Sequence, residues 1–138
     1  DHVAEALNVK EMIILKGEGY HLDTFFTPVL DIDGRITALI ICTSILSNGS
    51  KKRLYQFADK KNIPVFVIPP DDAIGTEKMI GNFAANALPL PGVLIRPNHF
   101  TDPSIDEKLM DMGIDRIITS TSQFQLSGGS VHCMTNEL

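Results

Sequence analysis

Among the side chains able to do covalent chemistry, Cys133 stands in the most suggestive setting, Gly128-Gly129-Ser130-Val131-His132-Cys133-Met134-Thr135-Asn136. The paired glycines can bring backbone close to a ligand, and the apolar–polar alternation around the cysteine predicts a turn feeding a strand. A thiol at that position needs a base or a cation to raise its thiolate fraction, and an imidazole elsewhere in the chain is the usual supplier. His21-Leu22-Asp23-Thr24-Phe25-Phe26-Thr27 offers one, and on a strand His21 and Asp23 share a face. Taken alone, His21 also reads as an ordinary strand histidine, Asp23 as an exposed-face residue and Cys133 as a buried structural thiol. A Cys–His metal site is a further alternative, but the chain has no Cys-x-x-Cys or His-x-x-x-His pair. His132 would point away from Cys133 on the predicted strand; His2 and His99 read as terminal and loop residues.

The elements that must position these groups alternate along the chain. Val3 to Asn8 predicts the end of a helix and Met12 to Leu15 a buried strand, followed by a strand from His21 to Leu30. Asp31-Ile32-Asp33-Gly34 has hairpin-turn chemistry, and a buried strand follows from Thr37 to Cys42, with Cys42 as a core thiol. Ser50 is the expected N-cap of a helix through Lys61 that buries Leu54, Phe57 and Ala58. Pro64 to Ile68 is the next strand, closed by Pro69-Pro70, and Asp71 to Lys78 reads as a loop or short helix. Asn82 to Leu90 predicts a strand that turns at Pro91-Gly92 into Val93 to Arg96. Asp102-Pro103 opens a helix whose stripe is Ile105, Leu109 and Met112 and which Gly113 ends. Arg116 to Thr119 is a return strand, and the Cys133 strand finishes the chain.

This order repeats. Glu5-Ala6-Leu7-Asn8 into Met12-Ile13-Ile14 is similar to Asp59-Lys60-Lys61-Asn62 into Val65-Phe66-Val67, and both to Asp111-Met112-Gly113 into Arg116-Ile117-Ile118. The period is roughly fifty residues and each unit reads strand-strand-helix-strand, which predicts a radial or stacked α/β architecture. Residues 1–138 are expected to form a single domain with two complete ββαβ units and partial units at both ends. His21, the Asn82 to Asn86 segment and Cys133 each follow a return strand at the entry to the next unit. In a radial arrangement such positions converge on the axis. An open fan leaves strand edges exposed and calls for a covering partner: a missing N-terminal half, another chain, or a second copy in a homo-oligomer.

The totals narrow the function classes. The chain is 43% hydrophobic and 21% charged, with a net charge of -5. That balance argues against a nucleic-acid partner, since no basic cluster exceeds Lys51-Lys52-Arg53. The apolar run Ile36 to Leu46 is too short for a membrane span, and the expectation is a cytoplasmic protein with reduced thiols.

His-Leu-Asp-Thr-Phe-Phe-Thr at 21–27 resembles the His-x-Asp motif of arginine deiminases, and Gly-Gly-Ser-Val-His-Cys-Met-Thr-Asn at 128–136 resembles the C-terminal nucleophile motif of the guanidino-group modifying enzymes. Asn86-Ala87-Leu88-Pro89-Leu90-Pro91-Gly92 adds to the likeness. That superfamily comprises arginine and agmatine deiminases, peptidylarginine deiminases, dimethylarginine dimethylaminohydrolases and glycine amidinotransferases. The resemblance implies the pentein fold, a five-bladed ββαβ propeller of which this chain would supply about half, at its C-terminal end. It implies a Cys-dependent hydrolase of a small guanidino substrate, arginine or a derivative, acting through a covalent amidino-cysteine. An amidinotransferase using the same covalent step, or a non-catalytic ββαβ binding module, are the alternatives. Cys133 would be the nucleophile and His21 the acid that protonates the departing amine and then activates water. Asp23 would bind the guanidinium, and Asn86, rather than Asn82, would hydrogen-bond the substrate or order the site. No cofactor and no metal are implied. The carboxylates that the family brings from earlier blades have no match here, so the chain alone is expected to be incomplete.

Overall fold

The computed structural model describes residues 5–6, 8–9, 11–18 and 21–135. Two ββαβ units organise them. In the first, β1 (Phe26–Leu30) pairs antiparallel with β2 (Ile36–Ile41) through a turn in which the Asp31 carboxylate accepts the amides of Asp33 and Arg35, with Gly34 at φ 77. From Ala38 to Cys42 every residue is buried, as a central strand covered on both faces demands. Helix α1 (Asn48–Lys61) then crosses over, burying Leu54 and Ala58, and β3 (Val65–Val67) returns parallel to β2. The helix is capped three residues before the predicted position. Ser47 is the N-cap and accepts from Ser50 N, while Ser50 is buried inside the first turn, its hydroxyl accepting the Lys16 amide at 2.6 Å.

Between the units lies a small hairpin, β4 (Gly75–Thr76) with β5 (Met79–Ile80), where the sequence suggested a loop or short helix. The second unit repeats the first: β6 (Leu88–Leu90) and β7 (Val93–Arg96) form a hairpin, α2 (Pro103–Asp111) crosses over, and β8 (Asp115–Ile118) returns parallel to β7. Asp102 caps α2 by accepting Ser104 N, Ile105 and Leu109 are buried, and Gly113 takes φ 75 after the helix, all as expected. The chain then makes a one-turn helix, α3 (Ser122–Gln125). Leu39, Ile40, Leu54, Leu94 and Leu109 belong to one continuous core shared by both units. The Gly92 amide reaches back to the Leu30 and Asp31 carbonyls, tying the second hairpin's turn to the first.

Four expected strands are shortened or absent, and in three of them turn hydrogen bonds replace the ladder. His21 to Leu30 is a strand only from Phe26, because Leu22–Thr24 forms a 3-10 turn. Asn82 to Leu90 is a strand only from Leu88, because Asn86 N bonds back to Phe83 O. Cys133 lies in a second 3-10 turn, His132–Met134, and not on a strand. Met12 to Leu15 runs beside α1 without forming a regular strand, and Ile14 is 59% exposed. In the complete units the equivalent strand pairs with its own hairpin, and among the described residues no hairpin pairs with this segment. It is held instead by Lys60 and Lys61, whose ammonium groups sit 2.7 and 3.2 Å from the Glu11 carboxylate. Of the predicted helix Val3 to Asn8, Glu5 and Ala6 are helical and the rest of its start, with Leu7, lies outside the described residues, as do Gly19 and Asn136. Among the described residues no helix is long and apolar enough to cross a membrane.

Candidate functional site

Three turns meet at one point, and each is anchored by buried neighbours that leave one polar side chain facing its counterparts. The Leu22–Thr24 turn is closed by the Thr24 amide and hydroxyl, which donate to the His21 carbonyl at 3.1 and 2.6 Å. Thr24 and Phe25 are buried, so Asp23 is left half-buried at the rim. The second turn starts at Phe83, fully buried at φ 60, and is flanked by Ala84, Ala85 and Ala87, whose small side chains let the backbone pack closely. It ends at Asn86, which is also fully buried. The third turn carries Cys133. Gly128 takes φ 82 ahead of it, where a side chain is disfavoured, and the buried Thr121 and Ser130 hydroxyls join at 2.7 Å to close the loop behind it.

At the meeting point Cys133 Sγ donates to Asp23 Oδ2 at 3.0 Å, and Asn86 Nδ2 donates to Cys133 Sγ at 3.2 Å. The same Asn86 amide reaches Asp23 Oδ2 at 2.9 Å and the Asp23 carbonyl at 3.1 Å. Its Oδ1 faces the Cys133 amide at 3.4 Å, and its carbonyl accepts from His132 N. Burial pushes the Cys133 thiol above its ordinary range, and the bond to the Asp23 carboxylate pushes the same way; the Ser130 backbone and Asn86 pull it down. Burial and Asp23 both favour the protonated thiol, which donates to Asp23 Oδ2.

Of the four residues singled out in the sequence, Asp23, Asn86 and Cys133 come into direct contact. His21 is the exposed N-cap of the Asp23 turn and lines a groove of about 400 Å³ with Ile13, Ile14, Leu15, Gly17, Leu22 and Phe25. A separate groove of about 450 Å³ is lined by Leu22, Asp23, Phe26, Thr27, Pro28 and His132. The placement of His132 corrects the sequence reading, which set it on the opposite face of a strand. In a 3-10 turn the two-residue alternation does not apply, so adjacent side chains need not face opposite ways. The same correction removes the strand argument that paired His21 with Asp23. Cys42 is fully buried against Ser44, as a core thiol should be. Among the described residues no group of three or more His, Cys, Asp or Glu side chains could hold a metal ion.

A second polar cluster went unnoticed in the sequence. Arg96, fully buried at the end of β7, pairs with Asp106 on α2 and stacks on Phe100, its guanidinium carbon 4.2 Å from the ring centroid. Burial lowers its pKa while Asp106 opposes that shift. An arginine closing an otherwise apolar Val93-Leu94-Ile95 run was the available signal.

No protein-family model matches the sequence and no curated protein is similar to it. Solved structures do match. The apo form of ArgZ, an arginine dihydrolase from the ornithine–ammonia cycle in cyanobacteria, superposes on 99% of this chain with a TM-score of 0.74 and 22% identity. The N-terminal domain of ArgZ, covalently bonded to a reaction intermediate, aligns with 96% of the chain at TM-score 0.69 and 23% identity. The agmatine deiminase of C. jejuni aligns with 96% at TM-score 0.63 and 18% identity. These are guanidino-modifying enzymes of the pentein fold, and the chain shares that fold. It spans 20% of the length of the full dihydrolase, 43% of its N-terminal domain and 44% of the deiminase.

Proposed function

We propose that this chain carries the nucleophile side of a guanidino-group hydrolase, with Cys133 as the attacking thiol and Asp23 as the anchor for a cationic substrate. The observation that carries this reading is the 3.0 Å contact between Cys133 Sγ and Asp23 Oδ2. A carboxylate beside a thiol has the wrong sign to activate it, yet it has the right sign to dock a planar cation against it. A guanidinium bound to Asp23 would offset the carboxylate's charge and bring its electrophilic carbon to the thiol, so binding and activation occur together.

In this reaction the Cys133 thiol gives its proton to His21 as the sulfur bonds to the guanidinium carbon, and ammonia or an alkylamine departs with the proton that His21 then carries. Water then attacks the amidino-cysteine, His21 takes a proton from it, and the carbon–sulfur bond breaks to release a ureido product and the free thiol. Arginine and agmatine are the substrate classes named for the structurally similar enzymes. The groove bounded by Leu22, Phe26 and Pro28 beside Asp23 offers apolar surface for an aliphatic stem. The remaining carboxylates of such a site would come from blades outside these 138 residues. The chain then forms about half of a five-bladed propeller, in keeping with its share of the two similar domains.

Acid-quenched incubations with arginine, agmatine and dimethylarginine should yield an amidino adduct mapped to the Cys133 peptide, together with ammonia or an alkylamine. A Cys133 peptide left unmodified by all three, and by a haloacetamidine, would refute the reading.

A further inference from the structure

We infer that Asn86 is a positioning residue, a buried strut that fixes the thiol and the carboxylate relative to each other, and not a ligand of the substrate. The inference deepens the proposed function and rests on Cys133 being its reactive group. Three features of the geometry support it. Asn86 is fully buried, so its amide is withdrawn from the exposed rim where a substrate would arrive. Its Nδ2 group already serves Cys133 Sγ, Asp23 Oδ2 and the Asp23 carbonyl, all within 3.2 Å. Its Oδ1 faces the Cys133 amide, which leaves little capacity for a substrate contact.

The strut is itself held by backbone. The Asn86 amide closes the turn on the Phe83 carbonyl at 2.8 Å, and the Asn86 carbonyl accepts the His132 amide at 3.3 Å. One residue thus ties together segments 63 and 47 positions away in the chain. Asp23 and Asn86 act on the sulfur in opposite senses. Asp23 accepts the S–H and repels a thiolate, while Asn86 donates to the sulfur and favours one. The carboxylate of Asp23 is the charged group in hydrogen-bond contact with Cys133, and His132 is its titratable chain neighbour.

The test is the pH profile of Cys133 alkylation by neutral iodoacetamide on the 138-residue chain, with circular dichroism to check folding. Asn86→Ala should move the midpoint up by about one pH unit, which is about a tenfold loss of rate below it. Asp23→Asn should move it down, and Asn86→Ser, which keeps a single donor, should fall between wild type and Asn86→Ala. A purely structural asparagine would leave the midpoint in place, so an unchanged midpoint in folded Asn86→Ala overturns the inference. Should both Asn86 variants unfold, the wild type still decides. Its Asn86 side-chain amide resonances should titrate with the Cys133 midpoint and lose that titration in Cys133→Ala, whereas resonances blind to Cys133 ionisation overturn the strut. These readouts use no amidine reagent, so they can fail while amidine selectivity survives, and the reverse.

Discussion

Two of the molecule's polar clusters are built on different terms. Arg96 and Asp106 join β7 to α2 within one ββαβ unit, and the arginine is fully buried, with Nε and Nη1 lacking a hydrogen-bond partner among the described residues. Asp23, Asn86 and Cys133 come from three different turns, and only the amide between them is fully buried. The first arrangement pins a helix to a sheet at the cost of dehydrating a cation. The second leaves a thiol and a carboxylate reachable from solvent with their geometry set from beneath. A buried charge pair is costly to break from one side, whereas an exposed reactive pair can be altered with little effect on folding. The two clusters should therefore separate stability from chemistry.

The largest effect expected from either cluster is loss of all covalent chemistry. Cys133→Ser should abolish adduct formation with every guanidino compound and leave the denaturant midpoint within experimental error of wild type, as read by mass mapping and chemical denaturation. Next, Asp106→Ala leaves Arg96 buried without its counterion and should destabilise the chain by about 3–5 kcal/mol. The double replacement Arg96→Met with Asp106→Leu should recover most of that loss. Equilibrium unfolding measures both, and Cys133 alkylation in the folded double variant should match wild type. A smaller change follows from the raised thiol. Wild-type Cys133 should reach half-maximal alkylation above the pH typical of a free cysteine, because both burial and Asp23 favour the protonated form. The smallest is Ser47→Ala, which removes the cap of α1 and should cost about 1 kcal/mol of stability with no change in thiol reactivity.

What the sequence revealed and what it hid follow from the range of the forces involved. The hairpin turn at Asp31–Gly34, the Asp102 cap and the Leu54–Ala58 stripe are encoded within a few residues, and all stand where their chemistry places them. The repeat of two ββαβ units was legible for the same reason. The turns at Leu22–Thr24, Phe83–Asn86 and His132–Met134 were read as parts of strands, the last because polarity alternates around Cys133. Each is instead closed by local bonds, such as Thr24 to the His21 carbonyl, that win where no neighbouring strand competes. Ser47 and Ser50 are both residue types that can cap, and the contact that gives Ser50 its buried role instead, with the Lys16 amide, is not local to the helix start. The Arg96–Asp106 pair spans ten positions with no motif to announce it. Cys133, Asp23 and Asn86 were individually visible, but their contact is a tertiary fact.

The most direct test of the account compares how fast Cys133 reacts with a haloacetamidine and with the matching neutral haloacetamide, in wild type and in Asp23→Asn. If Asp23 docks a cation against the thiol, wild type should favour the amidine by about a hundredfold, the effect of a well-placed charge-assisted pair, and Asp23→Asn should lose that preference while becoming more reactive toward the neutral reagent. Equal rates for the two reagents in wild type, or a preference that survives in Asp23→Asn, would contradict it.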